Sequence, residues 1–322
     1  MNVFAGVQLH TDPHGGLRCW LDTGHARGWL TPAAGAPGVG TDELFSSHFA
    51  AAVADGFVAA DAAVLAMMKT CHPDTLPLLS WDDRPAAAVT PAQPSRRLDL
   101  YAIVDSAERV RQVLAAGIKT VQLRIKAPER AGPPWFDTLR GEVRQSVSAC
   151  DAAGAELFIN DHWQLAAEAG ARAVHLGQED LLALGDAGRA TLRATGLALG
   201  ISSHSLWELC RARVLAPRYI ACGPVWPTLT KAMPWRAQGV DNLGWWCRMA
   251  QAPVVAIGGI LGPQQVVEAA GCGADGVCIV RGLGEHPEAV VPQLQAALDA
   301  GRRGAPSPGS RAAWPHPSLT PA

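Results

Sequence analysis

"LDLYAIVDSAERVRQVLAAGIKTVQLR", residues 98–124, sets two short apolar runs around a stretch whose apolar residues recur at helical spacing. Residues 98–104 have the β-branched and aromatic content of a strand, residues 106–117 bring Val110, Val113 and Leu114 to one helical face, and residues 120–124 read as strand again. The unit repeats. Further strand-like runs follow as "ELFIN" (156–160), "AVHL" (173–176), "LALGIS" (197–202), "RYIAC" (218–222), "PVVAI" (253–257) and "GVCIV" (276–280), eight in all, and each of the first seven precedes a stretch able to form a helix. Strand then helix, eight times over about two hundred residues, predicts an α/β fold of the (β/α)8 TIM-barrel type across 98–300. Gly117, Gly170 and Gly273 stand where helices should end and the chain should turn back to the barrel floor. A doubly wound open sheet is the alternative, but no G-x-G-x-x-G follows the first strand.

Outside the barrel the composition changes. Residues 82–97, "DDRPAAAVTPAQPSRR", carry three prolines and little apolar periodicity, which predicts a linker between residues 1–81 and the barrel. The Pro, Gly and Ser content of residues 301–322 predicts a disordered tail. The chain of 322 residues is 48% hydrophobic and 17% charged, with a formal net charge of −2, so no basic field invites nucleic acid and any anion site must be local. No apolar run reaches the ~18 residues of a membrane span, and the start lacks a basic-then-apolar signal pattern. Eight cysteines without a C-x-x-C pair fit buried thiols in a reducing, cytoplasmic compartment.

In such a barrel chemistry belongs at the C-terminal ends of the strands. The second strand ends in Gln122-Leu-Arg124-Ile-Lys126, whose alternation points Gln122, Arg124 and Lys126 to one side. Inward charge is costly unless an anion meets it; the alternative is a salt-bridged rim. Asp161 ends the third strand and Asp180 follows the fourth, and carboxylates beside cations suit Mg²⁺ shared with substrate phosphates. Each aspartate could instead be a helix N-cap. "GISSH" (200–204) ends the fifth strand, and the loop "ACGPVWPTLTK" (221–231), stiffened by two prolines and a glycine, presents Thr228, Thr230 and Lys231. Gly258-Gly259 and Val280-Arg281-Gly282 end the last two strands, where barrels of this kind hold a phosphate. His175 and His204 could be acids or bases, although a histidine at a strand end is more often structural.

Taken together, "QLRIK", "INDHWQLAAEAGARAVHLGQED", "GISSH", "GPVWPTLTK", "VVAIGGI" and "GADGVCIV" resemble the thiamine phosphate synthase family from about residue 98 to about residue 296. The resemblance implies a transferase that joins a pyrimidine diphosphate to a thiazole phosphate and releases pyrophosphate. It implies that Gln122 holds the pyrimidine and that Arg124, Lys126, Asn160, Ser202 and Lys231 contact the diphosphate. Asp161 and Asp180 would hold Mg²⁺, while Thr228, Thr230, Gly259 and the backbone at Val280 and Arg281 would take the thiazole phosphate. Arg124, Lys126 and Lys231 would stabilise the charge of the leaving group. One departure is Arg281, where the family usually has serine. A thiazole tautomerase-like relative on the same barrel and a non-catalytic barrel that binds thiamine precursors are the competing readings; a homodimer is left open.

The segment "LDTGHARGWLT" with "PGVGTDELFSSHFAAAVADGFVAADAAVLAMMKT" resembles the C-terminal end of a hydroxymethylpyrimidine phosphate kinase of the ribokinase-like group. Its turn, Gly38-Val-Gly40-Thr41-Asp42, departs from that family's pattern, and about eighty residues cannot supply nucleotide and substrate lobes. The expectation is a degenerate remnant, a helix plus hairpin packed on the barrel or loosely attached, without kinase activity.

Overall fold

The computed structural model describes residues 3–4, 6–11, 16–33, 41–87, 96–228, 234–304 and 314–319. The chain opens with strands β1 (Val3–Phe4), β2 (Val7–Thr11), β3 (Leu17–Asp22) and β4 (Arg27–Thr31), helices α1 (Asp42–Ala54) and α2 (Ala59–Cys71), and strand β5 (Leu78–Leu79). These strands form one antiparallel sheet in the order β1-β2-β3-β4-β5. The sheet is larger than the expected hairpin: four strands precede the helices, and β5, beyond both, returns to pair with β4. Strand alternation explains the packing: Val7, Leu9, Leu17, Cys19, Leu21 and Leu30 are buried against the helices, while Gln8, His10, Trp20 and Trp29 face outward.

The second unit alternates β6 (Asp99–Val104), α3 (Ala107–Ala115), β7 (Thr120–Leu123), α4 (Pro133–Ala153), β8 (Glu156–Asn160), α5 (Trp163–Glu168), β9 (Ala173–Leu176), α6 (Gln178–Ala183), α7 (Gly185–Ala194), β10 (Ala198–Ser203), α8 (Leu206–Arg213), β11 (Tyr219–Cys222), α9 (Gly239–Met249), β12 (Val254–Ala256), α10 (Pro263–Gly271), β13 (Gly276–Ile279) and α11 (Pro287–Arg303). Every neighbouring pair from β6 to β13 is parallel, and β13 pairs with β6 through Gly276↔Asp99 and Val277↔Leu100, so the eight strands close into the expected barrel. The anticipated helix stops are present as positive-φ glycines at Gly117, Gly170 and Gly273. Leu98, Tyr101, Phe158, Tyr219, Val255 and Cys278 fill the interior. Gly200 makes room for this layer, since a Cβ there would lie 2.4 Å from the Tyr219 ring.

The two units share a continuous apolar cluster. At their junction the buried Asp61 of α2 accepts a hydrogen bond from the Trp207 N–H (3.0 Å) at the start of α8. The Arg211 guanidinium lies against Trp81 and Trp207 and donates to the Arg27 carbonyl at 2.9 Å, while Trp81 Nε1 donates to the Arg211 carbonyl at 2.9 Å. The segment 82–97 is anchored at both ends: Trp29 Nε1 donates to the Asp83 carbonyl, and Arg96 donates to the carbonyls of Lys119 and Gly154; residues 88–95 lie outside the described residues. The expectation for the tail needs correction. Of the tail expected to be disordered, residues 301–303 complete α11 and residues 314–319 are docked with Ser318 and Leu319 buried, because an apolar anchor and backbone partners outweigh the composition; residues 305–313 and 320–322 lie outside the described residues.

Candidate active site

The C-terminal mouths of the barrel strands surround a cavity of about 680 Å³. One wall carries Gln122, Arg124, Lys126, Asn160, Asp161, Asp180 and Ser202; the other carries Thr228, Gly258, Gly259, Val280 and Arg281. Eleven of the thirteen residues to which the resemblance gives a role thus meet in one place, and the other two, Thr230 and Lys231, lie outside the described residues.

On the first wall, Lys126 Nζ contacts Asp161 Oδ2 at 2.5 Å. Asp161 has a left-handed backbone (φ 64°), held by its N–H on the His175 carbonyl (3.0 Å). Such a conformation is unfavourable for a residue with a Cβ and is tolerated best by Asn and Asp. Asp161 is therefore no N-cap of α5, whose cap is His162. Asp180 is not the N-cap of α6 either, a place taken by Gly177; it is the third residue of that helix, and its Oδ2 accepts the Gly177 N–H at 2.9 Å. A Cβ on Gly177 would lie 3.0 Å from Glu179 Oε2 and 3.1 Å from Asp180 Oδ2, so glycine leaves the carboxylates their space. The buried Asn160 Nδ2 has no hydrogen-bond partner among the described residues.

Beneath this wall runs a chain of neutral groups. Gln122 Nε2 donates to Tyr101 Oη (3.0 Å), Tyr101 meets Tyr219 hydroxyl to hydroxyl (2.8 Å), and Tyr219 Oη meets His175 Nδ1 (2.7 Å). His175 Nε2 then meets Ser202 Oγ (2.8 Å). Burial raises both phenols well above the usual tyrosine range. Burial, aided by Lys126 and Arg124 and opposed by Asp161, lowers His175 to about 4. A neutral imidazole carries one N–H. With Gln122 donating to Tyr101, each hydroxyl passes its hydrogen onward, His175 accepts at Nδ1 and donates from Nε2, and the Ser202 hydrogen is left to point at a ligand. Both nitrogens of His175 are therefore committed.

The second wall is built by close backbone approach. Gly258 (φ 94°) and Gly259 (φ 72°) are left-handed, and a Cβ would lie 2.7 Å from Pro224 Cα at the first and 2.5 Å from Trp226 Cβ at the second. Trp226 thus packs under the glycine turn. Arg281 opens the single 3-10 turn Arg281–Leu283 and is exposed at the rim. His204 stacks on Trp235 (5.1 Å between centroids), and its N–H and Nδ1 are held by Glu208 Oε2 at 2.5 and 3.0 Å.

Sequence reasoning missed Arg109, whose guanidinium lines the cavity and is fixed on the carbonyls of Gly284 (2.6 Å) and Glu285 (2.9 Å). The available signal was Ser106, the N-cap of α3, which places Arg109 in the first turn at the barrel mouth. Among the described residues no group of three or more His, Cys, Asp or Glu could hold a metal ion by itself. Two carboxylates with room beside them do fit Mg²⁺, a hard cation that commonly uses one or two carboxylates and completes its shell with water and phosphate oxygens.

A closed parallel barrel with cations and carboxylates on one wall and a glycine-lined cup on the other defines a phosphate-handling (β/α)8 protein with room for two anionic groups. More narrowly, residues 97–283 match the family model described as thiamine monophosphate synthase, and the chain belongs to that family. It is 45% identical over 194 residues to the thiamine-phosphate synthase of Rhizobium etli, covering 60% of this chain and 90% of the relative. A thiamine-phosphate synthase of Neisseria meningitidis serogroup A is 45% identical over 206 residues, 63% of this chain and 95% of that one. Among solved structures, a thiamine phosphate pyrophosphorylase from Pyrococcus furiosus superposes with a TM-score of 0.54 at 26% identity, covering 63% of this chain and 96% of the other.

Proposed function

We propose that the protein is a transferase joining 4-amino-2-methyl-5-(diphosphomethyl)pyrimidine to a (carboxy)methylthiazole-ethyl phosphate, giving thiamine phosphate and pyrophosphate. The observation that carries this reading is the buried, unpartnered Asn160 Nδ2 in a wall shared with Arg124, Lys126 and Ser202. A buried donor without a partner is costly, and a diphosphate oxygen would satisfy it.

The diphosphate lies on this wall, with Gln122 holding the pyrimidine. Asp161 and Asp180 would hold Mg²⁺, which when bound adds positive charge beside the leaving group. Arg124 and Lys126 face the oxygen on which charge develops, and Lys231 is assigned to the same charge by resemblance. The bond between the pyrimidine methylene and the diphosphate oxygen breaks with its electron pair on oxygen, and the electron-rich aminopyrimidine stabilises the methylene cation. The thiazole nitrogen then attacks that carbon with its own lone pair. No proton need move, so the committed nitrogens of His175 are compatible with the reaction and give no support to a histidine-dependent tautomerase. Pre-placed donors at the leaving oxygen accelerate such a step because they need no rearrangement as charge appears. Thr228, Thr230, Gly259 and the backbone at Val280 and Arg281 hold the thiazole phosphate.

The test is to mix the purified protein with both substrates and Mg²⁺ and to measure pyrophosphate. Release that requires both substrates is expected; tight binding of both with no pyrophosphate would favour a precursor-binding barrel. Residues 1–81 are read as a kinase remnant by resemblance alone; Thr41, from the turn quoted for it, is the N-cap of α1, its Oγ1 accepting the Leu44 N–H. Gly38 and Gly40 lie outside the described residues. ATP consumption with hydroxymethylpyrimidine phosphate would overturn that reading. All eight cysteines are free thiols, in keeping with a cytoplasmic place, and among the described residues no helix is long and apolar enough to cross a membrane.

A further inference from the structure

The docked residues 314–319 lie beyond the 97–283 span that matches the family model, and they bond to Gln238 and Asn242, behind the rim of the active-site cavity. His316 and Asn242 of α9 exchange two hydrogen bonds: the His316 N–H donates to Asn242 Oδ1 (2.9 Å), and Asn242 Nδ2 donates to the His316 carbonyl (3.0 Å). The His316 ring donates from Nε2 to the Gln238 carbonyl at 2.8 Å. Two residues further on, the Ser318 carbonyl accepts the Arg236 N–H at 2.9 Å. These contacts are sheltered, since Gln238, Asn242 and Ser318 are buried.

Gln238 is the point at which this segment meets the rim. Its Nε2 donates to the His204 carbonyl (2.6 Å) at the end of β10, and its backbone N–H donates to the Pro224 carbonyl (2.8 Å) after β11. Its Oε1 accepts from Asn242 Nδ2 at 2.8 Å. His204 and Pro224 both line the cavity, one beyond Ser202 on the diphosphate wall and the other before Thr228 on the thiazole wall. The buried Asn242 amide makes three bonds, and two of them go to His316. Without the segment, the Asn242 amide that orients Gln238 keeps one bond and loses the two it makes to the His316 main chain, and the Gln238 carbonyl loses the His316 ring. The far end of the segment is tied to the first unit: Pro317 lies beside Gly56, and Lys69 of α2 sits 4.8 Å from the Trp314 ring centroid.

We infer that residues 314–319 form a strap that positions the substrate-binding rim, with His316 holding Gln238 so that the mouths of β10 and β11 keep one spacing. The kinetic part rests on the synthase reading above; the mechanical part does not. A positioning role differs from a merely structural one in what it moves. Loosening the Gln238 hub should disturb both ends of the cavity together and leave the barrel core intact.

The test uses the full-length chain with His316→Ala and His316→Gln, the glutamine amide being able to donate to the Gln238 carbonyl. Amide hydrogen exchange over residues 234–242 is measured alongside kinetics with each substrate varied. His316→Ala should speed exchange there and raise KM for both substrates about fivefold or more, the equivalent of one lost hydrogen bond. His316→Gln should restore both readouts toward the parent, and the melting temperature of each variant should stay close to the parent's. Unchanged exchange at 234–242 in His316→Ala overturns the strap, as does a fall in melting temperature with parental kinetics. An inactive parent protein would refute the synthase reading alone, and the exchange measurement would still decide the strap.

Discussion

Asp161 gathers in one residue several features that a single aspartate rarely combines: a left-handed backbone, an ion pair with Lys126, and a place in the cavity wall next to an orphaned amide. Strain of this kind persists where the surroundings impose it, and it points to function. Asp161→Ala and Asp180→Ala should each lower turnover by a large factor and raise the Mg²⁺ needed for half-maximal rate. Normal turnover of both at limiting Mg²⁺ would remove them from the metal site. The hydroxyl relay gives a second residue-scale expectation. Tyr219→Phe deletes the link between Tyr101 and His175, leaving buried groups without a partner, at a cost of ~1–3 kcal/mol of stability. It also frees His175 to change tautomer and turn the Ser202 hydrogen away from the cavity. Turnover should therefore fall even where circular dichroism shows the variant fully folded; parental turnover there would mean that the relay orients nothing.

Elements matter here chiefly through their ends. In the turn after β12, assigned above to the thiazole phosphate, two consecutive glycines bring backbone against Pro224 and Trp226. Gly259→Ala asks an L-residue to hold φ 72°, at ~1–2 kcal/mol, and drives a methyl into Trp226. The expected result is weaker thiazole phosphate binding with pyrimidine diphosphate binding little changed, read from titration of each ligand separately. Equal loss for both ligands would show that the two walls are not separate sites. The helix α8 behaves in the same way: its N-cap Ser205 and first-turn Glu208 fix His204 at the rim, while its outer face receives the first unit.

The whole molecule is held together across α8 by a buried acid. Burial chiefly, with Glu208 adding and the N–H groups of Trp207 and Leu206 opposing, raises Asp61 from 3.8 to about 7. The folded state then holds a proton that the unfolded chain has released across this window, so Asp61's contribution to stability is complete below about 3.8 and is lost as pH rises through about 7. His175 works in the other direction: lowered from 6.5 to about 4, it contributes above 6.5 and loses that contribution as pH falls through about 4. Asp61→Asn keeps an oxygen for the Trp207 N–H and removes the titration. Its melting temperature should exceed the parent's at pH 8, and the difference should shrink at pH 5. A constant difference across this range would show that Asp61 does not titrate where its burial places it.

The eight barrel strands were legible because each is a short run of buried, β-branched residues, and the helix ends because glycine at positive φ leaves a local mark. The cavity wall of Gln122, Arg124 and Lys126 was legible too, because the sequence alternates there as a strand does, although β7 itself ends at Leu123. Tertiary structure alone decided what depends on distant partners. Leu78 and Leu79 become a strand only because β4 offers an edge after two intervening helices, so local pattern suggested a mere hairpin. The relay from Gln122 to Ser202 joins five strands, and its two tyrosines, Tyr101 and Tyr219, look like ordinary core in the sequence. Residues 314–319 have the composition of a disordered tail, and they are fixed because Asn242 and Gln238, more than seventy positions earlier, present buried polar groups that need them. Composition and periodicity record what a segment tends to do alone, whereas hydrogen bonds to remote residues exist only once the chain has closed.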